Sequence, residues 1–154
     1  VNAREYAKHC HRTWNDHPPD AGLQRANAAL GLAGEMAEYL ADPSPDELGD
    51  ALYYLAVLRS LYGMPAGVGH TALPPDEPMQ AAGRLCEMVK KDVFHDDPAD
   101  LQGIMRETSE LQEYLAAEAD SLGPGVEEVR EQNIEKLRKR FPDGFDADRT
   151  GADR

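Results

Sequence analysis

The stretch Gly31 to Asp50, GLAGEMAEYLADPSPDELGD, sets two pairs of acids on either side of a proline-broken turn. Glu35 and Glu38 precede the turn, and Glu47 and Asp50 follow it. Each pair is spaced i, i+3, so both of its acids leave one face of a helix. Asp42-Pro43-Ser44-Pro45 cannot continue a helix, whereas Ser44-Pro45-Asp46-Glu47 is a capping box with proline at the first helical position. The stretch is therefore the bend of a helical hairpin. Glu35 and Asp50 lie equally far from its centre, as do Glu38 and Glu47, so Glu35 is predicted to face Asp50 and Glu38 to face Glu47.

Four converging carboxylates repel, since two unit charges about 4 Å apart cost ~4 kcal/mol at an effective dielectric of roughly 20. A cation among them relieves this. Oxygen donors without His or Cys select hard ions, Mg²⁺ first and Mn²⁺ second, which keep water positions open for phosphate. Glu35 and Glu38 also fall near the C-terminal end of their helix, where the macrodipole disfavours negative charge. Glu47 has a competing explanation in the capping box. Acids at i, i+3 also occur on plain solvated faces.

Outward from the hairpin the chain reads as helices throughout. The first runs from Asn2 to Trp14 and is stopped by His17-Pro18-Pro19-Asp20. The hairpin helices span Leu23 to Leu40 and Ser44 to Gly63. Residues 64–78 are rich in Gly and Pro and read as a linker. Further helices are expected over Met79 to Phe94, Ala99 to Leu122 and Val126 to Arg140, with Gly123-Pro124-Gly125 between the last two and a polar tail over 143–154. No segment has strand period, so the class is all-α.

Placing Gly34 over Gly83 and Glu47 over Glu107 aligns Glu38 with Glu87, Asp50 with Glu110, and Tyr54-Leu55-Ala56 with Tyr114-Leu115-Ala116. This reads as two fused helical-hairpin halves, 1–63 and 79–142, forming an internal pseudo-dimer. In the second half Arg84 stands where the first has Glu35, putting a fixed side-chain cation in place of a metal charge. The hairpin rule there predicts Arg84 opposite Glu110 and Glu87 opposite Glu107. Chance alignment of Ala/Leu/Glu-rich helices is the alternative.

The net charge of −13 argues against a nucleic-acid groove or an anionic membrane as partner. No apolar run reaches the ~18 residues of a membrane span, and no signal-peptide pattern opens the chain. Cys10 and Cys86 allow at most one bridge, so a reduced, cytoplasmic chain is expected. His9 and His11 flank Cys10, but side chains at successive helical positions spread over different faces, which disfavours zinc. Asp92-x-x-His95 is a single acid-x-x-His, whereas a ferritin-like di-metal bundle needs two Glu-x-x-His motifs. Tyr53 and Tyr54 read most simply as hairpin core, with a base-stacking role as the alternative. Asn133, Lys136 and Arg140 share a helix face that can donate hydrogen bonds to phosphate or base, or can simply cap that helix against its dipole.

The ExxE, spacer, ExxD pattern, with GLAGE before it and ELGDALYYLA around it, resembles the MazG-like all-α nucleotide pyrophosphohydrolases. The ending NIEKLRKRFPDGF, Asn133 to Phe145, resembles them too. The resemblance implies a Mg²⁺-dependent enzyme that cleaves a nucleoside triphosphate to the monophosphate and pyrophosphate. Glu35, Glu38, Glu47 and Asp50 would hold metal, one of these acids, with Glu38 taken as the candidate, would orient the water, and Lys90, Lys91, Asn133, Lys136 and Arg140 would bind substrate. Family dimers build sites between partner chains, which implies either a homo-oligomer or the internal pseudo-dimer. Lys90 and Lys91 also read as a solvated helix face. Two departures stand out: only eight residues separate Glu38 from Glu47, fewer than is usual in the family, and the second motif is broken. Alternatives are a non-catalytic helical module that binds nucleotide or a partner, and an enzyme like the phosphoribosyl-ATP pyrophosphohydrolases.

Overall fold

The computed structural model describes residues 1–67 and 72–145. Six helices follow one another: α1 (Ala3–Thr13), α2 (Ala21–Ala41), α3 (Pro45–Leu61), α4 (Pro78–Phe94), α5 (Leu101–Leu122) and α6 (Val126–Arg140). No strand occurs among the described residues, and the fold is all-α. Parts of the expected linker and tail, 68–71 and 146–154, lie outside the described residues.

The helix starts follow from capping chemistry. Side chains of Asn2, Asp20, Ser44 and Asp100 accept from the backbone N–H of Glu5, Leu23, Glu47 and Gly103, each cap worth about 1 kcal/mol. Because Asp20 is a cap, α2 begins two residues before the start read from the sequence. Because Asp100 is one, α5 begins two residues after it. α5 ends on Gly123, whose φ of 109° lies in the left-handed region that favours glycine.

α2 and α3 form one hairpin, and α4 and α5 a second. α2 packs against α4 and α3 against α5, closing a four-helix arrangement, while α1 and α6 pack against α3 and against each other. Leu32, Met36, Leu48, Leu58, Leu85 and Leu111 are fully buried in one core that also includes Tyr6, Cys10 and Val129. Each such aliphatic side chain contributes about 1.5–3 kcal/mol relative to exposure. Cys10 and Cys86 are both free thiols, and burial pushes the Cys10 thiol up to about 12. Arg59, in the last turn of α3, is also buried. Its guanidinium donates to Thr108 and Ser109 of α5 and to the carbonyls of Pro65 and Gly67, fastening the start of the linker to the bundle.

The second hairpin departs from the register read from its sequence. Arg84 makes a two-pronged bond to Glu107, Nε to Oε1 at 3.0 Å and Nη2 to Oε2 at 3.2 Å, rather than pairing with Glu110. Glu87 pairs with Lys90 one turn along its own helix, rather than facing Glu107. The reason is burial: Glu107 is 3% exposed, a buried carboxylate needs a partner, and the long arginine reaches it. The charge of Glu110 acts on Arg84 only secondarily.

Candidate metal centre

The α2–α3 hairpin brings Glu35, Glu47 and Asp50 together, with one carboxylate oxygen from each within 4.8 Å of the others. Ser44 Oγ accepts from the Glu47 N–H at 3.2 Å, so the cap is made by the serine and the Glu47 carboxylate joins the acid cluster. Glu38 is exposed and outside this trio, though near enough for its charge to raise the pKa of both Glu35 and Glu47. One register pair thus holds, Glu35 with Asp50, while Glu47 joins that pair instead of standing apart with Glu38.

The electrostatics record the crowding. Burial first, then the charges of Asp50, Glu38 and Glu47, push the Glu35 carboxyl from its ordinary 4.5 up to about 7. Glu47 is raised by desolvation and by Asp50. Asp50 is also raised, although it receives hydrogen bonds from Lys136 and Asn133, because its desolvation outweighs both.

Helix α6 supplies the cationic side. Lys136 Nζ lies 2.6 Å from Asp50 Oδ2 and 2.9 Å from Asp46 Oδ2, and Asn133 Nδ2 donates to Asp50 Oδ1 at 2.9 Å. Asn133 is buried, and its Oδ1 accepts from the Tyr6 hydroxyl at 2.8 Å. A Cβ at Gly49 would lie 3.1 Å from the Asn133 amide, so the glycine leaves room for this contact. Arg140 is exposed and, with Glu35, Asp50 and Lys136, lines a cavity of about 460 Å³. Five aromatic side chains, Trp14, Tyr53, Tyr54, Phe141 and Phe145, form much of the rest of that wall.

Lys90 and Lys91 stand apart from this group. Lys90 pairs with Glu87 and lines a different cavity, about 480 Å³, between α2 and α4, and Lys91 is exposed on α4. That second cavity is walled mainly by Ala26, Ala29, Leu30, Val89 and Phe94, and its lining holds a single acid, Glu87. Sequence reasoning missed Tyr6, Asp46 and the aromatic wall. Asp46 carried a signal in its place one residue before Glu47, but Tyr6 is 127 residues from Asn133 and carried none.

The donor set fits a hard divalent cation: three carboxylates converge, and among the described residues neither Glu35 nor Glu47 has an ion-pair partner and no nitrogen or sulfur ligand joins the group. Comparison of the chain with protein-family models, with curated proteins and with solved structures finds no match.

Proposed function

We propose that this chain is a Mg²⁺-dependent nucleoside triphosphate pyrophosphohydrolase of the MazG-like kind, releasing a nucleoside monophosphate and pyrophosphate. The observation that carries the reading is the convergence of Glu35, Glu47 and Asp50 beside Lys136 and Arg140. Acids that would hold a divalent cation, beside basic side chains, suit a polyphosphate. Mg²⁺, or Mn²⁺ in its place, would draw charge from phosphoryl oxygens and lower the pKa of a water. Glu38, exposed beside the trio, would orient a water and take its proton as the oxygen attacks the α-phosphorus and the bond to the pyrophosphate breaks. Lys136 and Arg140 hold the departing charge. Asn133, buried and bonded to both Asp50 and Tyr6, would serve by holding Asp50 rather than by binding substrate.

The pseudo-dimer reading draws support from the packing of α2 on α4 and of α3 on α5. Arg84 and Glu107, in the places of Glu35 and Glu47, are joined by an ion pair. A second reading, a non-catalytic helical module, is favoured by one observation: the Lys136 ammonium already bridges Asp46 and Asp50. Incubating the chain with a panel of NTPs, dNTPs and phosphoribosyl-ATP, with Mg²⁺, Mn²⁺ or EDTA, separates these. Metal-dependent pyrophosphate release abolished by Glu38→Gln is expected. No turnover across the panel would leave the binding module, and turnover of phosphoribosyl-ATP alone would assign that enzyme class.

A further inference from the structure

Asn27, Gly31 and Glu35 recur at four-residue intervals along α2, a spacing that keeps them on one side of a helix. At a rise of ~1.5 Å per residue, Asn27 sits about 12 Å along the axis from Glu35. Asn27 and Glu35 line the same cavity. Between them Gly31 offers bare backbone, and the Tyr54 ring lies where a Cβ at Gly31 would fall.

The lining of the cavity is of two kinds. Asn27, about 12 Å along α2 from Glu35, lines the cavity with the neutral Thr13, Trp14, Asn15 and Tyr53, whereas Glu35, Asp50, Lys136 and Arg140 line it with charge. In the neutral part Trp14 and Tyr54 meet edge to face at 87°, as do Tyr53 and Tyr54 at 83°. The rings are therefore not stacked on one another. Tyr54 and Phe145 are only half-buried and have ring surface left to offer. Asn15 Oδ1 already accepts from the His17 N–H, which leaves its Nδ2 to donate. The Asn27 amide, exposed on the wall, is tied to no neighbour among the described residues. A few convergent amides in an aromatic pocket suit a flat ring with donors and acceptors on its edge, attached to a group that carries negative charge.

We infer that the neutral part of this cavity is a nucleobase subsite, in which Asn27 reads the base edge and the Tyr54 ring, seated over Gly31, takes the base face. This rests on the pyrophosphohydrolase reading for the charged part and adds to it the residue that sets base preference. A site that hydrogen-bonds an edge discriminates against the edge that cannot answer, whereas an apolar slot of the same shape discriminates weakly.

Trp14 is the single tryptophan of the chain and lines the cavity, so its emission reports occupancy. The test titrates the full chain with free nucleosides of each base up to millimolar concentration, and separately with inorganic tripolyphosphate plus Mg²⁺. Wild type, Asn27→Leu and Glu35→Gln are compared, with circular dichroism confirming that each is folded. Nucleosides should bind wild type and Glu35→Gln with affinities spread by about tenfold or more across the bases, and the spread should collapse in Asn27→Leu. Tripolyphosphate binding should survive Asn27→Leu and be lost in Glu35→Gln. Base-independent nucleoside affinity, no nucleoside binding, or a spread unchanged by Asn27→Leu overturns the subsite even where tripolyphosphate binds and turnover is intact. Base-dependent nucleoside binding without metal-dependent tripolyphosphate binding upholds the subsite and overturns the pyrophosphohydrolase reading.

Discussion

Asn133 of α6 donates to Asp50 of α3 across 2.9 Å, and this one bond fixes which face of the Asp50 carboxylate is free. Oδ1 is occupied by the amide, and Oδ2 is left to Lys136 or to a cation. Behind the amide, the Tyr6 hydroxyl ties α1 into the same chain of contacts, so three helices hold one acid in place.

Tyr6→Phe keeps the ring but removes the donor, leaving the buried Asn133 Oδ1 short of a partner. The expected loss is about 1–3 kcal/mol, with divalent-metal affinity weakened by less than the roughly 10–100-fold that removing a ligand's direct partner costs, because Asn133 still donates to Asp50. Thermal unfolding followed by circular dichroism and calorimetric titration with Mn²⁺ measure the two effects. A stability loss with unchanged metal affinity would make the contact purely structural.

Gly31→Ala sets two effects against each other. Alanine gains about 1 kcal/mol of helix propensity over glycine, but its Cβ would occupy the place of the Tyr54 ring, and forced repacking typically costs about 1–3 kcal/mol. The clash should win. Urea denaturation should show a net loss of stability, and Tyr54→Ala introduced alongside should relieve part of it.

The acid cluster makes both stability and metal binding depend on pH, with a definite sign. Glu35 has its folded pKa raised from 4.5 to about 7, so between those values the folded state holds a proton that the unfolded state has released. Metal-free stability should therefore fall as pH rises through that window, with Glu47 and Asp50, also raised, acting in the same direction. A bound cation needs Glu35 ionised, so affinity should increase about tenfold from pH 6 to pH 8, and binding near pH 7 should release protons. Melting temperatures in EDTA, and calorimetry in buffers of different ionisation enthalpy, check both signs.

Arg84→Met should lower the urea midpoint, because Glu107 then keeps only the more distant Arg106, at 3.8 Å, as a cationic partner. The double variant Arg84→Met/Glu107→Leu should recover most of the loss, since a well-packed apolar pair needs no neutralisation. If the single variant has the same midpoint as wild type, the ion pair contributes nothing to the second hairpin.

Much of the fold was legible because its determinants are local. The break at Asp42 to Pro45, the Ser44 cap and the glycines at 123 and 125 decide helix ends within a few residues of themselves. The cluster was legible for the same reason, since a short turn forces Glu35 and Asp50 together. Glu38 departs because three helical steps rotate it by about 60° from Glu35, away from the seam and into solvent. The aromatic wall was not legible: Trp14 comes from the end of α1, Tyr53 and Tyr54 from α3, and Phe141 and Phe145 from beyond α6, so only the tertiary packing assembles it. The Arg84 register failed because a long side chain chose the more deeply buried of two carboxylates, and burial is not written in spacing.

The most direct test of the account is calorimetric titration of Mn²⁺ and Mg²⁺ into the wild-type chain, Glu35→Gln and Asp50→Asn at pH 8. Wild type should bind saturably, and either substitution should abolish or severely weaken that binding while the fold is retained. Absence of divalent binding by wild type, or wild-type affinity retained in both variants, would contradict the metal centre and with it the proposed chemistry.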